Sequence, residues 1–321
     1  MGKKKILVCG ATGFIGRNVA EYFSENEKFE VFGTYNTRTP YNNNKIQFIK
    51  ADLTKPEEVK SVIEGKDILI NAAAVTSGSA SYKAERDLFP NIIINSNVIK
   101  ESYDSQIEQM IFLSCSVMYP TLERPVKEED SDINNLHPRY YSIARMKVFF
   151  EDMCRFLSQT KDNRTRFIVV RHSNIYGPHD KFDIERAHIF GATINRVTSA
   201  PENGNIIITG TGEEERDLLY ISDLVNFFEL SLKGQKSFYE IYNVGYGSSI
   251  SVKGLVGKII EASEKNLTIV HDKSKESNVI LTKLALNSEK AMKDFGWKPK
   301  VSLEEGIKRT MEWYNKNLGS A

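Results

Sequence analysis

The sequence predicts an α/β protein built on a doubly wound parallel sheet. Short β-rich apolar runs alternate with longer stretches whose apolar residues recur every three or four positions. Three glycines, Gly10, Gly13 and Gly16, fall between the first run and the first helical stretch. The runs are continuously apolar, as strands buried on both faces must be.

In order, the runs are "KILVCG", "FEVFGTY", "IQFIKAD", "DILINAAA", "QMIFLSCS" and "TRFIVVRHS". Helical stretches such as "GRNVAEYFSENE" and "PNIIINSNVIKESYDS" separate them. Beyond about residue 174 the regularity loosens into loops, a strand-like "NIIITG", a helical "SDLVNFFELSL" and a strand-like "YEIYNVG". The last helix opens with Ser302 and has Glu305 three residues on, a capping-box pattern. The expected organisation is a dinucleotide-binding domain over 1–173, with return segments near 217–247, and a smaller mixed α/β lobe over 174–321 that holds substrate.

Lys and Arg total 43 against 42 Asp and Glu. That balance supplies no basic field for nucleic acid or an anionic membrane. The three cysteines, Cys9, Cys115 and Cys154, are widely spaced, which predicts reduced thiols and a cytoplasmic protein. The N-terminal apolar stretch is too short for a signal peptide or a membrane span. His179 and Asp180 are adjacent, but no third ligand lies near them, so no metal is expected.

"VCGATGFIGRNVAEYF" places the glycines at the end of a strand and the start of a helix. The backbone can then turn tightly and meet a pyrophosphate, whose charge the helix N-terminus stabilises. This predicts a Rossmann-type dinucleotide site at Gly10, Thr12, Gly13, Phe14, Ile15 and Gly16. "GTYNTRTP" lacks the acidic residue that binds the ribose of NAD; Arg38 stands there and suits a 2′-phosphate, so NADP is favoured and NAD remains possible. Asp52 and Leu53 suit the adenine edge, and Ala72, Ala73 and Ala74 are small where cofactor must pass the backbone.

In "RYYSIARMK", Tyr141 and Arg145 are four residues apart and share one helix face. A cation so placed stabilises a phenolate. Tyr140 has Ala144 in the equivalent position and reads as a packing residue, while Lys147 lies about 240° around the helix from Tyr141.

With these stretches, and with "NIYGPHD", "GTGEEERDLLYISDL", "YNVG" and "FGWKPKVSLEEG", the chain resembles the extended short-chain dehydrogenase/reductases, the epimerase/dehydratase family. Within it the chain is most similar to GDP-L-fucose synthase-like 4-ketoreductases, through "GPHDKFDIERAHIF". The resemblance implies that Tyr141 exchanges a proton with the sugar oxygen while nicotinamide exchanges hydride with its carbon. It also implies a Ser or Thr four residues before the marker Tyr119, and a Lys after the catalytic Tyr. Here those positions are Cys115, flanked by Ser114 and Ser116, and Arg145. Strand alternation points both serines away from the face of Cys115.

The resemblance implies further that His188 is retained near the sugar, while Val117 stands where the epimerising synthases have Cys and the dehydratases have Glu. Asn174 and His188 would bind the sugar, and Arg196, Arg216 and Lys283 the diphosphate. The expected activity is reduction at C4 of a nucleotide-linked sugar. A 4-epimerase with tightly held cofactor and a catalytically weak dinucleotide-binding scaffold are the alternatives. The expected assembly is a homodimer, because Ile143, Met146, Val148, Phe149, Met153 and Phe156 give the Tyr141 helix two apolar faces. His172 reads as a structural histidine and Glu213-Glu214-Glu215 as a solvated turn.

Overall fold

A computed structural model describes residues 2–76, 84–184, 187–272, 274 and 283–319. The six predicted runs form β1 (Lys4–Cys9), β2 (Phe29–Tyr35), β3 (Ile46–Lys50), β4 (Ile68–Asn71), β5 (Gln109–Cys115) and β6 (Arg166–His172). They are followed by β7 (Asn174–Tyr176), β8 (Asn205–Thr209), β9 (Glu215–Tyr220), β10 (Tyr239–Val244), β11 (Ser249–Ser251) and β12 (Thr268–Asp272). The main sheet has the order β10-β6-β5-β4-β1-β2-β3, and its pairs are parallel. Strand order reverses between β1 and β4, which opens a crevice at their carboxyl ends.

The helices are α1 (Phe14–Ser24), α2 (Pro56–Ile63), α3 (Phe89–Asp104), α4 (Tyr141–Ser158), α5 (Ile189–Ser199), α6 (Ile221–Gly234), α7 (Val252–Ala262), α8 (Glu289–Phe295) and α9 (Leu303–Asn317). Side-chain alternation divides each central strand between two cores. Ile6, Val8, Ile70, Ile111 and Val170 pack with Val19 of α1 and Leu224 of α6. Leu7, Leu69, Phe112 and Val169 face the other way, with Val98 of α3 and Phe150 of α4. Beyond β6 the chain adds a three-stranded sheet, β11-β9-β7, and a parallel pair, β12-β8.

Two local expectations are corrected. Only one half of the Ser302 capping box forms. Ser302 Oγ accepts from Glu305 N at 3.2 Å, while the Glu305 carboxylate turns to Arg309 at 2.6 Å, a charged partner one turn on. The Glu213-Glu214-Glu215 run is not a solvated turn: Glu215 starts β9 and accepts from Ser249 Oγ, and the Glu214 Oε2 atom is enclosed. Helix α4 does carry two apolar faces. Met146 and Phe150 are buried, whereas Phe149 and Phe156 are 59% and 68% exposed.

Candidate active site

The glycine turn is shaped by contacts no side chain could share. Gly10 has φ +75°, and a Cβ there would lie 2.8 Å from Ala73 Cα; one on Gly16 would lie 2.2 Å from the Gly10 carbonyl oxygen. The turn therefore packs directly on the backbone of residues 72–73 at the end of β4. Gly13 caps α1 without any side-chain bond, leaving the first-turn N–H groups unclaimed by a cap. These donors, at the positive end of a helix dipole, fit a pyrophosphate.

Side chains around the turn hold the crevice walls. Arg38 Nη1 donates to the Thr12 carbonyl at 3.0 Å, which brings its guanidinium to the glycine turn. Asp52 accepts from Thr54 N at 3.0 Å and Thr54 Oγ1 at 2.7 Å, and these bonds hold its carboxyl below the usual range. Leu53 is buried. Asn18 donates to the carbonyls of Phe14 and Pro178, each at 3.0 Å, and so joins α1 to the turn after β7. Across the crevice, Lys181 Nζ donates to Thr76 Oγ1 at 2.6 Å and to its carbonyl at 3.1 Å.

Of the residues expected to act as acid and donor, Cys115 lies at the carboxyl end of β5, and Tyr141 and Arg145 lie on α4. Tyr141 is the first residue of α4 and is 51% exposed; the Arg145 guanidinium lies 5.1 Å from its ring centre. The i, i+4 spacing thus becomes a direct cation–ring contact. Cys115 ends β5, and burial pushes its thiol up, while Lys147 pulls the other way. Ser114 points to the opposite side and donates to Glu151, as alternation predicts. Ser116 carries a turn, its carbonyl accepting from Tyr119 N at 3.2 Å.

His188 caps α5 by position, and burial followed by the nearby Lys181 charge lowers its imidazole, which is therefore neutral at pH 7. Asn174 Nδ2 donates to the Asp217 carbonyl at 3.1 Å. Arg216 lies on β9 and donates to the Glu215 carbonyl at 2.8 Å. Arg196 is in the last turn of α5, and Lys283 pairs with the solvated Glu123 at 3.4 Å. His172 Nδ1 lies 2.7 Å from the Ser173 carbonyl, and burial drives it down to about 4.

Three features of the site have little signal in the sequence. Arg171 and Glu151 form a buried ion pair at 2.6 Å, and Arg171 also donates to Tyr119 OH at 2.8 Å and to the Glu128 carbonyl at 2.9 Å. Tyr119 OH passes its proton on to Asn243 Oδ1 of β10 at 2.6 Å. The marker tyrosine is thus a strut between β5, β6 and β10. Asp217 accepts from Tyr246 N, Gly247 N and Leu286 N at 2.8–3.1 Å, gathering the turn after β10 and the segment before α8 behind Asn174.

The third unforeseen feature is Asp180. Its Oδ1 accepts from Lys181 N at 2.7 Å, its Oδ2 has no partner, and burial pushes the carboxyl up to about 7. Folding favours the protonated form, so its contribution to stability is complete below the unfolded value near 3.8 and is lost as pH rises through about 7. Asp180→Asn is expected to raise stability at pH 8 by about 1–4 kcal/mol and to change nothing near pH 4. Urea unfolding at both pH values checks this; an equal effect at both would refute it.

The sequence profile of the NAD dependent epimerase/dehydratase family matches residues 6–245, from β1 to the end of β10. The chain belongs to that family. It is an NAD(P)-dependent enzyme of the extended short-chain dehydrogenase type, as the glycine turn and the Tyr141 helix foretold. This family member is 32% identical over 278 residues to a GDP-L-fucose synthase of Sinorhizobium fredii, which covers 84% of this chain and 86% of the relative. It is 24% identical to a GDP-L-colitose synthase of Yersinia pseudotuberculosis, over 97% of both chains. Among solved structures, UDP-glucose 4-epimerase from Thermotoga maritima with UDP-glucose superposes with a TM-score of 0.85 at 25% identity, covering 98% of this chain and 99% of that one.

Proposed function

We propose that the chain reduces the C4 ketone of a nucleotide-linked sugar with NADPH. The observation that carries the reading is the contact of Tyr141 and Arg145 on the first turns of α4, in a chain whose residue 117 is an apolar valine. The glycine turn, Ala72–Ala74 and Arg38 would hold the dinucleotide, which when bound supplies hydride to the sugar carbon. Tyr141 gives its phenolic proton to the ketone oxygen, which becomes a hydroxyl. Arg145, permanently charged, cannot relay a proton to restore the phenol. Solvent reaches the half-exposed phenol directly and can reprotonate it.

Val117 carries no ionisable group, so the site has no proton carrier there for inversion at a flanking carbon. His188 and Asn174 would bind the sugar, and Arg196, Arg216 and Lys283 would meet the diphosphate. The two sequence relatives act, by name, on GDP-sugars, so a GDP-4-keto sugar is the first substrate to try. A 4-epimerase is the second reading, favoured by the likeness to the Thermotoga enzyme.

The test is NADPH oxidation against GDP-, CDP-, UDP- and dTDP-4-keto sugars. Stoichiometric oxidation with one of them supports the reductase; interconversion of 4-hydroxyl epimers without net oxidation would replace it by the epimerase. Arg38→Ala is expected to cut the preference for NADPH over NADH about tenfold to a hundredfold, the worth of one charge-assisted contact. An unchanged preference in that variant would mean that Arg38 does not meet the 2′-phosphate.

A further inference from the structure

Strands β5 and β6 end side by side with Cys115 and His172 as register partners. Lys147 reaches this corner from α4: its Nζ donates to the Leu113 carbonyl at 2.7 Å and lies 4.9 Å from the Phe112 ring centre. Two residues further along the strand is Cys115. The charges that act on the thiol are Lys147 and Glu151 from α4 and Arg171 from β6. Glu151 and Arg171 are bonded to each other, so their opposite charges largely cancel at Cys115. Lys147 is bonded to a neutral carbonyl, and among the described residues it forms no ion pair.

A thiol donates hydrogen bonds weakly, and donor strength follows acidity. A neighbouring cation makes it more acidic. Arg145 does not fill that role, because its guanidinium lies over the Tyr141 ring on the exposed side of α4. The geometry points to Lys147 as a positioning residue of the reaction: a half-buried ammonium fixed to the end of β5, which makes the Cys115 thiol a stronger hydrogen-bond donor to the sugar oxygen than it would be without that charge. This rests on the reading of Cys115 as the partner of that oxygen. Burial keeps the thiol protonated at neutral pH, as a donor must be; burial also lowers Lys147, and the Glu151 carboxylate works against that.

Iodoacetamide alkylation of Cys115, followed by peptide mass spectrometry as a function of pH, tests this without reference to turnover. Lys147→Gln keeps a donor for the Leu113 carbonyl and removes the charge, Lys147→Met removes both, and Lys147→Arg keeps both. At pH 9, Cys115 is expected to react about tenfold more slowly in the Gln and Met variants, one unit in the thiol's acidity. The Arg variant is expected to react at the wild-type rate, and kcat/KM for reduction should fall in the same order. Wild-type alkylation in the Gln variant would overturn the proposal and leave Lys147 a tether of the strand end, whether or not the Met variant folds. Slowed alkylation in a protein that reduces no 4-keto sugar would instead overturn the reductase reading, and with it the role of Lys147 in that reaction.

Discussion

Tyr141→Phe lowers kcat for reduction of the 4-keto sugar by about 10²–10⁴-fold, the usual worth of a positioned proton donor. The change removes one oxygen from a side chain that is half in solvent and lies against the Arg145 guanidinium. Stability and dinucleotide affinity should therefore stay near wild type, and the loss should appear in kcat rather than in binding. Steady-state kinetics with cofactor binding followed by fluorescence separate the two. Tyr140→Phe, one residue earlier and without a cation one turn on, should leave kcat within about twofold, because no proton transfer depends on it. Full turnover in the Tyr141 variant would require another acid and would contradict the assignment of Tyr141.

The second large effect is structural. Arg171→Met strands the Glu151 carboxylate in the core and is expected to cost about 3–5 kcal/mol of stability. Both side chains are almost wholly enclosed, with 7% and 3% of their surface exposed, so water cannot take over as partner. The same guanidinium supports the Tyr119 hydroxyl and the Glu128 carbonyl, which lose donors as well. Joint replacement of Arg171 and Glu151 by Met should recover part of the loss, since a buried pair repays its desolvation poorly against apolar packing. Chemical denaturation of the two single variants and the double variant forms the cycle. A single-variant cost below about 1 kcal/mol would mean that the pair behaves like a solvated one.

That network also shows where reading the sequence stops. The six strand runs and the glycine turn were legible because continuous apolar runs and φ-demanding glycines are local signals. Tyr141 with Arg145 was legible for the same reason: a spacing of four on a helix is a contact. The Glu151–Arg171 pair joins residues 20 positions apart on different elements, and Tyr119 meets Asn243 across 124 positions. No periodicity encodes such a contact. Helical spacing sets Lys147 about 240° from Tyr141, but it does not tell that the Lys147 side chain reaches the end of β5. Nor does the sequence signal that the Asp180 carboxyl lies buried with one oxygen unpartnered.

The Glu213–Glu215 run failed for a related reason. Three charges in a row read as solvated by composition, but β9 begins inside the run, and Ser249 on β11 supplies a partner for Glu215. In the same way Glu305 met a stronger partner in Arg309 than the backbone N–H of a capping box. In both cases a tertiary or charged partner outbid the local pattern.

The central claim is hydride transfer to C4 with Tyr141 as acid, and isotope tracing tests it most directly. The protein is incubated with a GDP-4-keto sugar and NADPH carrying two deuterium atoms at C4 of its nicotinamide in ordinary water, and in parallel with unlabelled NADPH in deuterium oxide, and each product is read by NMR. One deuterium at C4 of the sugar from the labelled cofactor, with no enzyme-dependent deuterium at the flanking carbons in deuterium oxide and no product in Tyr141→Phe, is the predicted result. Enzyme-dependent solvent deuterium at the flanking carbons, or cofactor deuterium that never reaches C4, would contradict it.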